Sequence, residues 1–257
     1  MSTTMAPPAP SPEPAQPSMG AMARIFGVFF SPKPTFADIV RRPSWVAPMV
    51  VLLLIAIGLS VTLAQRANWY EVSKEQISKN KFAAGRIDQL PDDQKDRVFQ
   101  QAAERGKIIR YVRGFIGWPL LLIISSAIYL GVFRLIGGAR VNYGTAFAIC
   151  TFAHLPVGLR ELLAIPVNLL KDPNNIDPEN FLASNPAAIL ASSDLPAWQM
   201  VPLTFLDIFG IWVLILAAIG FSAADPKKMP LGKALALAFS VWAFFLCFFT
   251  GLAWIFS

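Results

Sequence analysis

Five long apolar blocks recur along the chain and are separated by polar segments. Each block contains about 20 residues, which is the length that an α-helix with a rise of roughly 1.5 Å per residue needs to cross a bilayer. The pattern therefore predicts an all-α integral membrane protein with five transmembrane helices. We place these spans at residues 45–64, 115–136, 144–170, 200–221 and 234–256.

The polar segment between the first two spans, residues 65–114, also carries a helical pattern. Within residues 91–113 the apolar positions that recur at helical spacing are Val98, Ala102, Ile108, Ile109 and Val112. We expect this amphipathic helix to cover the outer surface of the bundle. The later loop, residues 171–197, is rich in Pro, Asn, Asp and Ser, and we expect one short helix in it near residues 185–192.

The chain before the first span divides into two segments. Residues 1–20 contain six prolines and no apolar cluster, so we predict a disordered tail. Residues 21–44 form a segment of two short amphipathic helices, each too short to span a bilayer. We expect them to lie on an anionic membrane surface, where the interfacial anchors would be Arg24, Lys33, Arg41, Arg42 and Trp45. The alternative is a cap packed on the ends of the spans, and the two arrangements are compatible.

The third span carries unusual polar residues for an apolar block. It holds the only histidine of the chain, His154, and residues seven positions apart, Glu161 and Asn168, fall on the same face of a helix. Ionisable groups in hydrocarbon are costly, so these side chains should face protein or water. His154 and Glu161 lie about 10 Å apart along the helix axis, so each needs a partner from another span or a water molecule. The stripe either joins helices or forms a ligand or proton site.

Two further charges belong to this predicted cluster. Arg160 lies beside Glu161 in the third span, and Asp207 lies about two turns into the fourth. We expect Arg160 and Asp207 to form an ion pair between neighbouring spans, because pairing neutralises two costly charges at once. Two alternatives are open: Asp207 lies in water at the membrane interface, or Asp207 or Glu161 binds a proton or a cation.

Composition narrows the functional classes. Hydrophobic residues make up 55% of the chain and charged residues only 15%, against about 25% charged in soluble domains. The net charge is +6, and most of the basic residues lie beside the apolar blocks. This placement favours anionic lipid head groups over nucleic acid as partners. One histidine and two cysteines are too few for a zinc protease or a structural zinc site. We therefore predict no catalytic residues, no metal and no cofactor.

Loop charges predict the orientation. Basic side chains dominate the N-terminal flank, residues 134–143 and residues 222–233, whereas acidic side chains dominate residues 171–199. The positive-inside rule then puts the N-terminus in the cytoplasm. Residues 65–114 argue the other way with eleven Lys and Arg, although seven acidic residues accompany them.

Two stretches resemble a known family. The run IFGVFFSPKPTFADIVRRPSWVAPMVVLLLI resembles the start of bacterial members of the Yip family, the Ypt-interacting proteins. The run YGTAFAICTFAHLPVGLRELLAIP is similar to the third-span region of that family. The resemblance implies five spans with a cytoplasmic N-terminus. Eukaryotic members are associated with Rab-type GTPases, but this chain lacks their Asp-Leu-Tyr-Gly-Pro run, so a Rab partner is not carried over.

These observations predict a non-enzymatic scaffold or partner-binding protein of the bacterial inner membrane. Its expected partners are membrane lipids and either a second copy of the chain or other membrane proteins. The alternative function is a small ion-coupled transporter that uses the polar stripe of the third span. An intramembrane enzyme is a third and weaker alternative.

Overall fold

The computed structural model describes residues 18–79, 81–190 and 195–255, and within them all regular structure is helical. Most of the predicted tail, residues 1–17, lies outside these ranges. The helices are α1 (Ala21–Phe30), α2 (Pro32–Arg41), α3 (Val46–Arg66), α4 (Trp69–Lys79), α5 (Lys81–Asp88), α6 (Asp92–Gly131), α7 (Tyr143–Ala153), α8 (Leu155–Leu170), α9 (Pro186–Ile189), α10 (Ala197–Phe205), α11 (Ile208–Ala224) and α12 (Leu231–Ile255).

Four helical stretches in the described residues are long and apolar enough to cross a membrane. They are Val46–Arg66, Asp92–Ile136, Tyr143–Leu170 and Leu231–Ile255. The pair formed by α10 and α11 adds a fifth if it is counted as one span, but its two helices meet at 53°. The prediction of an all-α multispan membrane protein is therefore confirmed, and the fourth predicted span, residues 200–221, is broken rather than continuous.

The second span is longer than the sequence pattern indicated. Helix α6 runs for 40 residues without interruption, so the predicted loop helix and the second span are one rod about 60 Å long. Its buried face includes Ala103, Arg110 and Gly114, whereas Ile108 and Ile109 are 60% and 64% exposed. The apolar pair Ile108 and Ile109 thus points away from the bundle instead of packing on it.

The spans alternate in direction, so the bundle has two ends. We call the end that carries residues 42–45, 137–142 and 225–230 the proximal end, and the end that carries residues 67–79, 81–91 and 171–190 the distal end. At the distal end the Arg66 side chain donates to the backbone carbonyl of Lys171 at 3.0 Å.

The loops at the proximal end are tied together by hydrogen bonds that involve backbone groups. The backbone N–H of Arg140 donates to the Asp225 carboxylate at 3.0 Å, and Lys233 Nζ donates to the carbonyl of Gly137 at 2.6 Å. The hydrogen bond from Arg140 lowers the pKa of Asp225 below its ordinary value.

The N-terminal helices form a hairpin that packs on the bundle. Val28, Phe36 and Ile39 have no exposed surface and belong to the same core as α7 and α11. The cap arrangement therefore fits the structure, while Lys33, Arg41, Arg42 and Trp45 remain exposed beside it. Whether these four contact lipid head groups stays a prediction.

Arg24 does not fit the role of an exposed anchor. Arg24 is only 5% exposed, and its Nε donates to the Asp38 carboxylate at 2.8 Å. Its Nη1 donates to the carbonyl of Arg42 and to the Ser44 hydroxyl, each at 3.0 Å. A buried guanidinium requires an anionic partner and further acceptors, and Arg24 of α1 finds them in and directly after α2. The side chain therefore ties the start of α1 to the end of α2.

Close helix packing depends on small residues. A Cβ at Gly114 would lie 2.7 Å from the Ser60 hydroxyl oxygen, so α3 and α6 approach each other closely there. A Cβ at Gly220 would overlap the Ile149 side chain and lie 2.9 Å from the Phe36 ring. Gly220 is therefore the point at which α2, α7 and α11 meet, as small residues commonly are at membrane helix interfaces.

We expect Gly220→Ala to destabilise the protein by about 1–3 kcal/mol, because Ile149 and Phe36 are fully buried and cannot move aside. The matched control is Gly251→Ala in the interior of α12, where an added Cβ meets no atom within 4 Å. Thermal unfolding in a mild detergent measures both. Equal melting temperatures for the two variants would contradict the packing of α2 against α7 and α11.

Candidate functional site: a polar cluster inside the bundle

The third span is interrupted at His154. Helix α7 ends at Ala153 and α8 begins at Leu155, with Pro156 in its first turn, where a proline needs no N–H partner. His154 is 9% exposed, and its Nδ1 lies 2.7 Å from the carbonyl of Cys150. Since a carbonyl oxygen only accepts, Nδ1 carries the proton of this hydrogen bond.

Trp118 of the second span contacts both His154 and Glu161. Its ring meets the imidazole edge-to-face, with the centroids 5.9 Å apart, and its Nε1–H donates to Glu161 Oε2 at 3.0 Å. His154 and Glu161 share a partner from another span rather than bonding to each other. Trp118 is only 4% exposed, and a buried indole N–H requires an acceptor, which Glu161 supplies.

The ion pair expected between Arg160 and Asp207 is present. Arg160 Nη1 lies 3.1 Å from Asp207 Oδ2, and the Ser184 hydroxyl donates to the same oxygen. Asp207 Oδ1 accepts the backbone N–H groups of Phe209 and Gly210, each at 3.0 Å. Asp207 therefore caps the N-terminus of α11 at the position where the fourth span bends.

Phe181 of the distal loop connects the remaining members of the cluster. Its carbonyl accepts from Asn168 Nδ2 at 2.8 Å, and its ring lies under the guanidinium of Arg160, 5.1 Å from the centroid. Asn168 is fully buried and also donates to the carbonyl of Ala164 at 2.7 Å. The loop is thus fastened into the bundle through one side chain and one backbone group.

A cavity of about 380 Å³ lies beside this cluster, between α3, α6, α8 and Phe181. Its polar wall contains Arg110, Arg113, Arg160 and Glu161. Its apolar wall includes Leu120, Leu121 and Ile124, which are 47% to 53% exposed. The cavity therefore joins buried charges to the outer, apolar surface of the second span.

The geometry divides the predicted stripe into two groups. His154 and Glu161 meet at Trp118, whereas Arg160, Asn168 and Asp207 meet around Phe181 and Ser184. In the described residues no group of three or more His, Cys, Asp or Glu side chains is arranged to hold a metal. Every ionisable side chain of the stripe has a hydrogen-bond partner in the protein.

Sequence reasoning missed four contributors: Arg110, Trp118, Phe181 and Ser184. Trp118 carried a signal, because a tryptophan beside a proline within an apolar block places a polar N–H where it needs an acceptor. Phe181 and Ser184 lie in an irregular loop without periodicity, so no sequence pattern indicated that this loop enters the bundle.

Comparison with known proteins assigns the chain to a family. The model of the Yip1 domain matches residues 26–252, which include most of the N-terminal hairpin, the spans and the polar cluster. No curated protein and no solved structure matches the chain. Because the match covers far more than half of the sequence, this multi-pass membrane protein belongs to the Yip1 domain family.

Proposed function

We propose that the protein is a non-enzymatic membrane scaffold that binds other membrane components through its lipid-facing surface. The observation that carries this proposal is the hydrogen-bonded cluster, in which Asp207 joins Arg160 to Ser184 and Trp118 joins the second span to Glu161. The polar groups of the stripe connect three spans and the distal loop to one another. Hydrogen bonds that connect several spans restrict their relative motion, as a scaffold requires.

A small ion-coupled transporter is the second candidate, because the cluster contains ionisable groups beside a cavity. A transporting carboxylate has to release its partners during each cycle. Glu161 is held by the indole of Trp118, and Asp207 also caps a helix, so moving either group would break structural contacts. This cost favours the scaffold over the transporter.

The surface of α12 is the best candidate for binding a partner within the membrane. Only 6% of its most apolar stretch is buried, against 22% to 61% in the other continuous spans. Phe244 stacks on Phe248 with the centroids 6.3 Å apart, and Phe245 stacks on Phe249 at 6.2 Å. Rigid aromatic side chains lose little conformational freedom on association, which suits a protein–protein contact.

A groove beside these rings gives the surface a definite shape. It has a volume of about 430 Å³ and lies between the end of the second span and α12, where it is lined by Ile128, Val132, Ile136, Ser240 and Phe244 among others. Side chains of a neighbouring transmembrane helix fit a groove of this kind. We propose that the partner is a second copy of the chain or another membrane protein.

We also propose a cellular setting for the protein. The basic flanks at the proximal end favour a cytoplasmic N-terminus, and the family resemblance favours the bacterial inner membrane. Lys33, Arg41 and Arg42 are exposed around the N-terminal hairpin, where anionic head groups would neutralise them.

The first test separates the scaffold from the transporter. We expect proteoliposomes that contain the wild-type protein or Glu161→Gln to show the same proton leak as protein-free liposomes under an imposed pH gradient. The glutamine amide keeps an oxygen that accepts from the Trp118 indole, so this variant should stay folded. A wild-type proton flux that Glu161→Gln abolishes would replace the scaffold proposal with the transporter.

The second test probes the α12 surface in cells with a photo-reactive phenylalanine analogue. We expect the analogue at Phe248, which is 54% exposed, to form protein adducts, because a partner covers this face. The control position is Leu54 on α3, which is 63% exposed and should form only lipid adducts. A product at twice the 28.1 kDa mass identifies a second copy. Lipid adducts alone at both positions would contradict partner binding through α12.

A further inference from the structure

Arg110 is the one buried charge of the described bundle whose guanidinium lacks a hydrogen bond. The residue is 7% exposed, and its Nε is fully buried without a partner among residues 18–79, 81–190 and 195–255. The guanidinium carbon lies 5.7 Å from the centroid of the Phe181 ring, which offers a π face but no anion. A guanidinium stays charged in proteins, and burying it without an anion is costly.

Two of the other three charges around the cavity are held by close partners. Arg160 pairs with Asp207, and Glu161 accepts the hydrogen bond of Trp118 without forming an ion pair to Arg110 in the described structure. Arg113 lies 3.8 Å from Glu179, but the two side chains are 60% and 67% exposed, so this pair is weak. The cavity therefore offers one unpaired guanidinium and a second that can turn toward a ligand.

The lining of the cavity changes from charged to apolar along a single face of α6. Arg110, Arg113 and Gly117 occupy this face first, followed by Leu120, Leu121 and Ile124. From Arg110 to Ile124 the distance along the helix is about 21 Å. The outward face is apolar at Ile108 and Ile109, and the predicted second span begins at residue 115, so Arg110 lies about 8 Å before that boundary along the helix.

We propose that this cavity binds one anionic phospholipid at the distal end of the bundle. The phosphate of the head group lies against Arg110, with Arg113 as a second cation, and an acyl chain follows Leu120, Leu121 and Ile124 toward the centre of the membrane. A guanidinium matches a phosphate because its N–H groups bind two oxygens at once. Free inorganic phosphate offers similar anionic oxygens but leaves the apolar wall uncovered. This site does not depend on the scaffold proposal.

The test measures lipid binding to the full-length protein purified in a mild non-ionic detergent. Native mass spectrometry counts bound dioleoyl-phosphatidylglycerol and, in a parallel titration, dioleoyl-phosphatidylcholine. We expect one phosphatidylglycerol to bind at least about tenfold more tightly than phosphatidylcholine, since phosphatidylcholine has no net charge to offer the two guanidinium groups. Arg110→Gln should remove this preference. The matched control is Arg105→Gln, an exposed arginine on the same helix, which should retain it.

A second variant keeps the arginine and fills the cavity. A Cβ at Gly117 would meet only Arg113 Cγ, at an ordinary 3.5 Å, and Gly117 lines the cavity, so we expect Gly117→Leu to fold, which its melting temperature checks. We expect it to weaken phosphatidylglycerol binding at least about tenfold, because the leucine occupies the space of the acyl chain. This variant gives the answer even if Arg110→Gln proves unstable.

Inorganic phosphate distinguishes the two sources of the anion. At the concentration of the lipid, phosphate alone should leave bound phosphatidylglycerol in place. Displacement by phosphate would overturn the lipid assignment in favour of a free anion. Equal binding of the two lipids by the wild type, or unchanged phosphatidylglycerol binding by either variant in its folded form, would overturn the site itself.

Discussion

A charged side chain among transmembrane helices has to be neutralised by another part of the protein, and Asp207 meets this constraint with four contacts. One carboxylate oxygen receives the guanidinium of Arg160 and the hydroxyl of Ser184, while the other receives two backbone N–H groups of α11. The acid therefore begins α11, directly after the C-cap of α10 at Leu206, and binds the third span. The 53° bend of the fourth span follows from this arrangement.

The same constraint explains why the distal loop is part of the bundle. Ser184 reaches Asp207, and the Phe181 carbonyl satisfies the buried amide of Asn168. The Phe181 ring lies close to both Arg110 and Arg160, where its face interacts favourably with cations. A loop that supplies hydrogen bonds to buried groups cannot move away without leaving them unsatisfied. We infer that the loop and the polar cluster fold as one unit.

The sequence predicted those features that depend on composition over a long window. Apolar length located the spans, and the cost of isolated charges indicated that Arg160 and Asp207 would pair. The break at residues 206–207 was missed because the hydropathy of residues 200–221 is continuous across it, and a single capping acid decides the bend. Arg24 was misassigned for a similar reason. Its partner Asp38 lies on the other helix of the hairpin, and charge counting cannot show that the two meet.

Arg160 and Arg110 differ in whether the protein itself supplies a partner for the guanidinium. Both guanidinium groups lie near Phe181 at the wall of one cavity, yet Arg160 has an aspartate partner and Arg110 has none among the described residues. Arg110 is therefore the guanidinium that the proposed lipid would engage, and the apolar wall with Leu120 and Leu121 would hold the hydrocarbon chain of that lipid.

If the charges of the third and fourth spans hold the fold together, a double-mutant cycle on Arg160 and Asp207 shows it most directly. Unfolding free energies would be measured in detergent for Arg160→Ala, Asp207→Asn and the double variant, since asparagine can still cap α11. We expect each single change to cost about 1–3 kcal/mol and the double change to cost no more than the larger single one. Additive losses, or a single change that leaves stability intact, would contradict this role and show that these charges are kept for a purpose other than folding.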